Sequence, residues 1–474
     1  MSLRTSTLLL FAFVLFVQAC SNQIAENIER GSDYIFVPGY PEVRATAVGY
    51  IDEQDSTKIN VAAEIVYGSL IYKVTEGKRQ ARIVVEIQYS DLNNPEVIYD
   101  GLEFPAAIVN TTESPIQYQD VFSISRDLTV PPGDYEVRLS VLDLNSGKQS
   151  IRPLRTTIPD PEDEVSHVTP IRLFSKSAEE DSPDEDYDPV TTYDVSLDAD
   201  SVKFVFQVTN YYDNAPLRIQ TRLLKFESDT SITRPVTFNN FGPSSKFFRG
   251  IEFDRFDVVQ STDRDIRGEG SILVEVPYEN LGRGNYRFEV TTTVNENTIY
   301  KARDFGIKST NYPSIKSTRE LANPLFYLMT PEEHEDLMAI ESDDSLKKAI
   351  DRFWLKNVKD PKVARNVISL YYERVEEANK QFANFKEGWK TDMGMIYILF
   401  GPPFFVDDQL DVSVWSYTYD ATRTDQRFIF RSPKIKNPGF PFNHFLLQRS
   451  SIYYNAYYQQ IQAWLSGGIL RTNL

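Results

Sequence analysis

Residues with obvious reactive chemistry are few and far apart. His167, His334 and His444 are the three histidines of a 474-residue chain, and Cys20 is its single cysteine. With no HExxH pair and three isolated imidazoles, a histidine-rich metal centre is disfavoured, and no metal or cofactor is implied. Neither a G-x-S-x-G elbow nor a GxxxxGK[ST] phosphate loop occurs. A Ser-His-Asp set around His444 stays open, whereas His334, among acids in a predicted first helical turn, is expected to be exposed. Carboxylates are abundant, with 68 Asp+Glu against 50 Lys+Arg and a net charge of −18. Glycoside hydrolysis needs only two of them at a suitable separation, but abundance selects no pair. The acidic balance disfavours nucleic acid as a partner, since that requires a basic face. The densest run, "EEDSPDEDYD" at 179–188, has seven carboxylates in ten positions. Mutual repulsion predicts a solvated loop, and calcium is the rival reading, although the Gly and distal Glu of an EF-hand are missing.

A more compact group lies at 388–403, "GWKTDMGMIYILFGPP". Gly388 is read as the stop of a preceding helix and Trp389 as a large apolar surface. Thr391 and Asp392 are short polar side chains able to bond backbone amides in a turn. Met395 to Phe400 is an unbroken apolar run that suits a strand covered on both faces, stopped by Gly401, Pro402 and Pro403. Trp389 and Asp392 then have two readings, a packed aromatic with a turn-capping carboxylate or a recognition site beside Gly401-Pro402-Pro403. Further on, Tyr453, Tyr457, Ile461 and Trp464 recur at helical spacing, with Tyr454 and Tyr458 adjoining. That stripe predicts a helix docked on its own domain, or, where exposed, an aromatic surface for sugars or a protein partner.

The elements that must hold these residues follow from periodicity. Over 32–160, apolar and polar residues alternate in short runs such as "ARIVVEIQYS" and "GDYEVRLSVLD", which places Tyr135, Val137, Leu139 and Val141 on one face of a strand. Residues 165–308 read as a second copy: Gly133, Tyr135 and Val137 answer Gly284, Tyr286 and Phe288, and "ARIVVEIQYSDLNNP" is matched to "VKFVFQVTNYYDNAP". From about 317 the period becomes helical. Thr330 is a predicted N-cap before Pro331; Leu346, Ile350, Phe353 and Trp354 share one face; and a long helix from Val363 runs to about Lys386. Two strands, 412–419 and 427–432, would pair with 395–400. The predicted fold is therefore multidomain: two tandem antiparallel β-sandwiches of Ig-like type (32–160 and 165–308), with a single large β structure as the rival reading, followed by an α+β domain (317–474).

"MSLRTSTLLLFAFVLFVQAC" reads as a signal peptide over 1–19, with one early cation, Arg4, and an apolar run too short to span a bilayer comfortably. "VQAC" resembles the lipobox of bacterial lipoproteins, which implies a lipidated Cys20 as the first mature residue, with a polar tether to residue 31; the alternative is an ordinary cleaved signal with a buried cysteine. Ser21 is unlike the Asp of inner-membrane retention. The expected place is therefore the bacterial outer membrane, with the periplasmic and surface-exposed sides both open. "GWKTD" followed by "IYILFGPP", a Trp-Tyr strand and an "RFIF" strand resembles the GWxTD-domain proteins of Gram-negative bacteria, over roughly residues 320–465. Met393 and Phe404 depart from the Arg and acidic residue often found at those places, and the resemblance carries over no catalytic role. The expectation is a lipid-anchored cell-envelope protein that binds, adheres or assembles without catalysis, presenting its C-terminal module to an envelope protein or polysaccharide. The alternative is a carbohydrate-active or peptide hydrolase with its site in that module.

Overall fold

The computed structural model describes residues 27–472 apart from residues 32–36, 38, 53, 55, 76, 112–120, 161–165, 178–186, 196, 198, 211–215, 239–249, 268–269, 295–296, 421, 434–441 and 443. Cys20, the expected signal peptide, most of the tether and residues 179–186 of the acidic run lie outside the described residues. No helix among the described residues is long and apolar enough to cross a membrane. The chain is mostly β, in several sheets, with a helical C-terminal region. It divides into two compact units, Met1–Phe226 with Phe256–Ile307, and Glu227–Arg255 with Lys308–Leu474.

In the first unit, β1 (Val43–Ile51), β2 (Thr57–Val66), β3 (Lys78–Asp91), β4 (Asn94–Thr111), β5 (Val121–Thr129), β6 (Gly133–Asp143) and β7 (Lys148–Ile158) form antiparallel sheets in the orders β1-β2-β5 and β4-β3-β6-β7. Alternate residues of both sheets meet in one core of Val61, Ile65, Ile83, Val85, Val137, Leu139 and Val141, as period-2 patterning requires. A second set follows: β8 (Arg172–Ser177), β9 (Ala199–Asn210), β10 (Leu217–Ser228), β11 (Ile251–Ile266), β12 (Gly270–Glu279), β13 (Gly284–Val294) and β14 (Asn297–Ile307). It repeats the orders as β8-β9-β12 and β11-β10-β13-β14, around a core with Phe204, Phe206, Leu223, Phe288 and Phe305.

The matched tyrosines do the same work in both sets. Tyr135 donates its hydroxyl to Pro131 O at 2.9 Å and Tyr286 to Gly282 O at 2.6 Å, each four residues upstream, so that the corner before the strand is pinned. The other proposed match fails. β3 carries "ARIVVEIQYS" and pairs β6, with Ile87 opposite Leu139; the strand that pairs β13 is β10, with Leu223 opposite Phe288. β9, which carries "VKFVFQV", lies in the other sheet and corresponds to β2. Two apolar strands of similar period look alike in sequence, and only hydrogen-bond pairing says which sheet each joins.

The C-terminal unit opens with α1 (Thr318–Ala322), α2 (Pro331–Met338), α3 (Asp343–Val358) and α4 (Pro361–Phe382). Thr330 caps α2 in a capping box with Glu333 and Pro331 follows it, while Asp360 accepts from Lys362 N and Val363 N at the start of α4. α4 ends at Phe382, short of the predicted Lys386. His334 is buried rather than exposed: its ring packs edge-on to Phe326 and its Nε2–H donates to Asn323 O at 3.1 Å. Burial holds its pKa below the ordinary histidine value, although bonds to the Asn323 and Ala322 backbone oppose the shift.

Met395–Phe400 is not a strand. It lies in α5 (Asp392–Phe400), whose residues Met395 to Leu399 are all buried, so no amphipathic period was there to reveal a helix. Its place in the small sheet is taken by β15 (Phe405–Asp408), which pairs β16 (Val412–Ser416), which in turn pairs β17 (Arg427–Arg431). α6 (Tyr454–Ser466) and a short helix, Ile469–Thr472, follow. One core contains Trp354, Tyr371, Val375, Trp389, Ile398, Phe428 and Trp464.

Candidate functional site

The 388–392 corner sits between α4 and α5. Gly388 begins a 3-10 turn, Gly388–Lys390, and is not a helix stop. A Cβ there would lie 1.9 Å from Ala378 O, so contact with the backbone of α4 requires glycine. Trp389 is buried; its backbone N–H donates to Asn379 Oδ1 at 3.2 Å, its indole N–H to Glu387 Oε2 at 3.1 Å, and its carbonyl accepts from Tyr327 OH at 2.7 Å. Thr391 caps α5: its Oγ1 accepts from Gly394 N at 3.0 Å and donates to Gly388 O at 2.7 Å, closing the turn onto the helix it starts.

Asp392, only 1 % exposed, is the hub. Arg449 grips it with both terminal nitrogens, Nη2 to Oδ1 at 2.6 Å and Nη1 to Oδ2 at 3.1 Å. Leu447 N donates to Oδ2 at 2.7 Å, and the Thr233 hydroxyl donates to Oδ1 in a short bond. A carboxylate has about four lone-pair sites, and all are taken. Burial alone would raise its pKa, but the Arg449 charge and these bonds hold it below the usual carboxylate range. Arg449 is itself committed, with Nη2 donating to Arg234 O at 2.7 Å and Thr233 Oγ1 at 2.9 Å. The segment around Thr233 is further tied by its own N–H to Lys390 O at 3.0 Å and by Lys386 Nζ to Ser231 O at 3.0 Å. This constellation joins three distant stretches of sequence, and its chemistry is that of a clasp.

The far end of α5 is fastened in parallel. Buried Arg374 donates to Ile398 O at 3.2 Å and Leu399 O at 3.3 Å, the carbonyls a helix C-terminus leaves open. Burial pushes its pKa down to about 10, with Tyr397 and Tyr417 opposing. Gly401 has φ 80° and a Cβ there would lie 2.6 Å from Arg374 Nη2, so both backbone and space demand glycine. Tyr417 OH donates to Gly401 O at 2.8 Å. Pro402 is exposed and Pro403 half-buried.

The predicted aromatic stripe splits. Tyr453, Tyr457 and Trp464 are buried, because the helix docks that side on α5: Trp464 Nε1 donates to Leu399 O at 2.9 Å. They form no surface. Tyr458, 51 % exposed, and the half-buried Tyr454 stack at 6.2 Å on the outside. His444 is also buried, its Nδ1 accepting from Asn384 Nδ2 at 2.8 Å and its ring edge-on to Phe385. Arg449, Thr233, Arg374, Asn379 and Tyr327 were not visible as site residues; they lie outside the motif, and no local pattern marks them.

Beyond Pro403 the surface opens. Phe404, Phe405, Val406, Leu410 and Tyr419 are all exposed, Leu410 by 95 % and Tyr419 by 78 %. Tyr419 stacks on Phe404 at 5.0 Å and meets Phe405 edge-on at 5.3 Å. The cluster lies along β15, the outermost strand of its sheet, where Asp407, Asp408 and, just beyond, Asp411 have no ion-pair partner among the described residues.

A β-rich chain ending in a helical domain, with a clasped Gly-Trp-x-Thr-Asp corner, defines the class. A family model for the GWxTD domain matches residues 284–466, and the chain carries a GWxTD domain. No curated protein matches the sequence. Among solved structures it is similar to red sea bream transglutaminase (10% identity, 56% of this chain and 31% of that one, TM-score 0.17). It is also similar to the native conformation of E. coli alpha-2-macroglobulin (14% identity, 58% and 16%, TM-score 0.18). A third is the C-terminal domain of the Streptococcus agalactiae AgI/II polypeptide BspA (10% identity, 55% and 99%, TM-score 0.14). The chain spans less than a third of the length of the first two.

Proposed function

We propose that this chain is a lipid-anchored protein of the bacterial outer membrane with a non-catalytic binding role. In this reading its two strand sets are tandem Ig-like sandwiches that carry the GWxTD domain as a recognition module. The observation that supports it is the contrast on one domain: the motif residues are consumed by internal bonds, while an aromatic cluster stands exposed directly after Gly401-Pro402-Pro403. The free edge of β15 suits addition of an extended segment from an envelope protein. Asp407, Asp408 and Asp411 call for lysine or arginine on that segment. A second copy of this chain is disfavoured, because pairing β15 with itself would bring like charges together.

Two measurements test the reading. Cys20→Ala should move the protein from the membrane fraction to the soluble fraction of the envelope. A photo-crosslinking residue at Tyr419 should capture one polypeptide that is absent when the same residue replaces Leu355 on α3. Capture at both places, or binding of isolated polysaccharide without any polypeptide, would reject the strand-addition partner.

A further inference from the structure

The first unit contains a polar cleft of about 200 Å³, whose walls include Glu29, Thr46, Arg155, Arg172, Phe174 and Arg303. That is many times the roughly 10–15 Å³ needed to admit one water. Its charge is unusual for a protein of net charge −18: the described residues that line it include three arginines against one acidic residue, Glu29.

Arg303 is 3 % exposed, and its Nη2 donates only to the carbonyls of Val190 at 3.2 Å and Thr192 at 2.9 Å. Its Nε is buried with no hydrogen-bond partner. The neighbouring Asp304 does not compensate it, being occupied by Arg287 at 2.6 Å and 3.0 Å and by Arg30 at 3.3 Å. Burial pushes the Arg303 pKa down to about 10, with Glu29 and Asp304 opposing, so its charge is held at a cost. Glu29 stands opposite Arg303 in a parallel strand pair but forms no ion pair with it among the described residues. Arg172 is similar. Its guanidinium lies 5.8 Å from the Tyr50 ring centre and 5.7 Å from that of Phe174, and no carboxylate reaches it within ion-pair distance among the described residues.

A desolvated guanidinium with spare donors is poised for a planar or tetrahedral oxyanion: Arg172 can bind one through two parallel bonds, while Arg303, whose Nη2 is spent on carbonyls, offers its Nε–H. We propose that this cleft binds a small oxyanion, a carboxylate- or phosphate-bearing molecule, with Arg303 and Arg172 as its charge partners and the exposed Arg155 beside it. Glu29 limits the affinity by repelling the anion. The site is independent of the GWxTD domain's exposed strand.

Isothermal titration of the mature chain at low salt with inorganic phosphate and with citrate tests this. At least one anion should bind, and whichever binds tells phosphate from carboxylate chemistry. Arg172→Gln, at a partly exposed position and with its folding verified by circular dichroism, should weaken that binding by about tenfold or more. Glu29→Gln should strengthen it, a change that a purely structural arginine cluster would not produce. Arg431→Gln, on an exposed strand of the other unit, should leave it unchanged. Absence of binding by both anions to the folded chain, or equal weakening by Arg172→Gln and Arg431→Gln, would overturn the proposal.

Discussion

The Gly388–Asp392 corner and the Phe404–Tyr419 edge lie on the same domain and solve opposite problems. The corner looks like a site because it gathers a tryptophan, a hydroxyl and a carboxylate within five residues, yet each is spent inside the fold, Trp389 and Asp392 on distant stretches and Thr391 on Gly388 and Gly394 of its own turn. The edge looks like ordinary strand and loop, yet it leaves apolar rings and three carboxylates in solvent. A recognisable motif therefore marks where the fold is most constrained, and the surface available to a partner begins just after it.

Substitutions at the corner should act on stability and those at the edge on binding. The largest effect is expected for Asp392→Ala, which leaves the Arg449 charge buried without its partner and should cost about 3–5 kcal/mol of unfolding free energy in urea. Replacing both, as Asp392→Leu with Arg449→Met, should recover part of that loss; no recovery would show that the clasp is not a self-contained pair. The effect should depend on acid. Because the folded carboxyl titrates below its unfolded value near 4, its contribution is complete above about pH 4 and is lost as pH falls through the depressed folded value. The stability gap between the wild type and Asp392→Asn should therefore narrow below pH 4.

Gly388→Ala comes next. Its methyl would collide with the α4 backbone, and a loss of about 1–3 kcal/mol or failure to fold is expected by thermal unfolding. Thr391→Ala removes the cap of α5 and should cost about 1 kcal/mol. At the edge, Phe405→Ser should shift stability by no more than about 0.5 kcal/mol while abolishing capture of a polypeptide by the crosslinking residue at position 419. A stability loss at the edge as large as that at the corner would erase the distinction between them.

Much of this architecture was legible in the sequence, for reasons visible at single residues. Thr330 announces a helix because its side chain bonds the amide three residues on, and Tyr135 and Tyr286 reveal a repeated corner because their bond spans four residues. Local chemistry of that kind is written locally. The α5 helix was misread because burial on every side removes the apolar-polar period that separates a helix from a strand. The clasp could not be found at all: Arg449 lies 57 residues after Asp392 and Thr233 lies 159 residues before it.

By itself, then, the sequence determined which stretches alternate as strands, that α2 begins after Thr330, and that residues 388–403 are a marked place, since these depend on neighbours in the chain. Tertiary structure alone decided that Asp392 is an ion-paired hub, that Trp464 is core while Tyr419 is surface, and that Arg303 lies buried beside a cleft. Each of those outcomes depends on which distant groups exclude water from a side chain, and burial is a property of the packed molecule that no local pattern encodes.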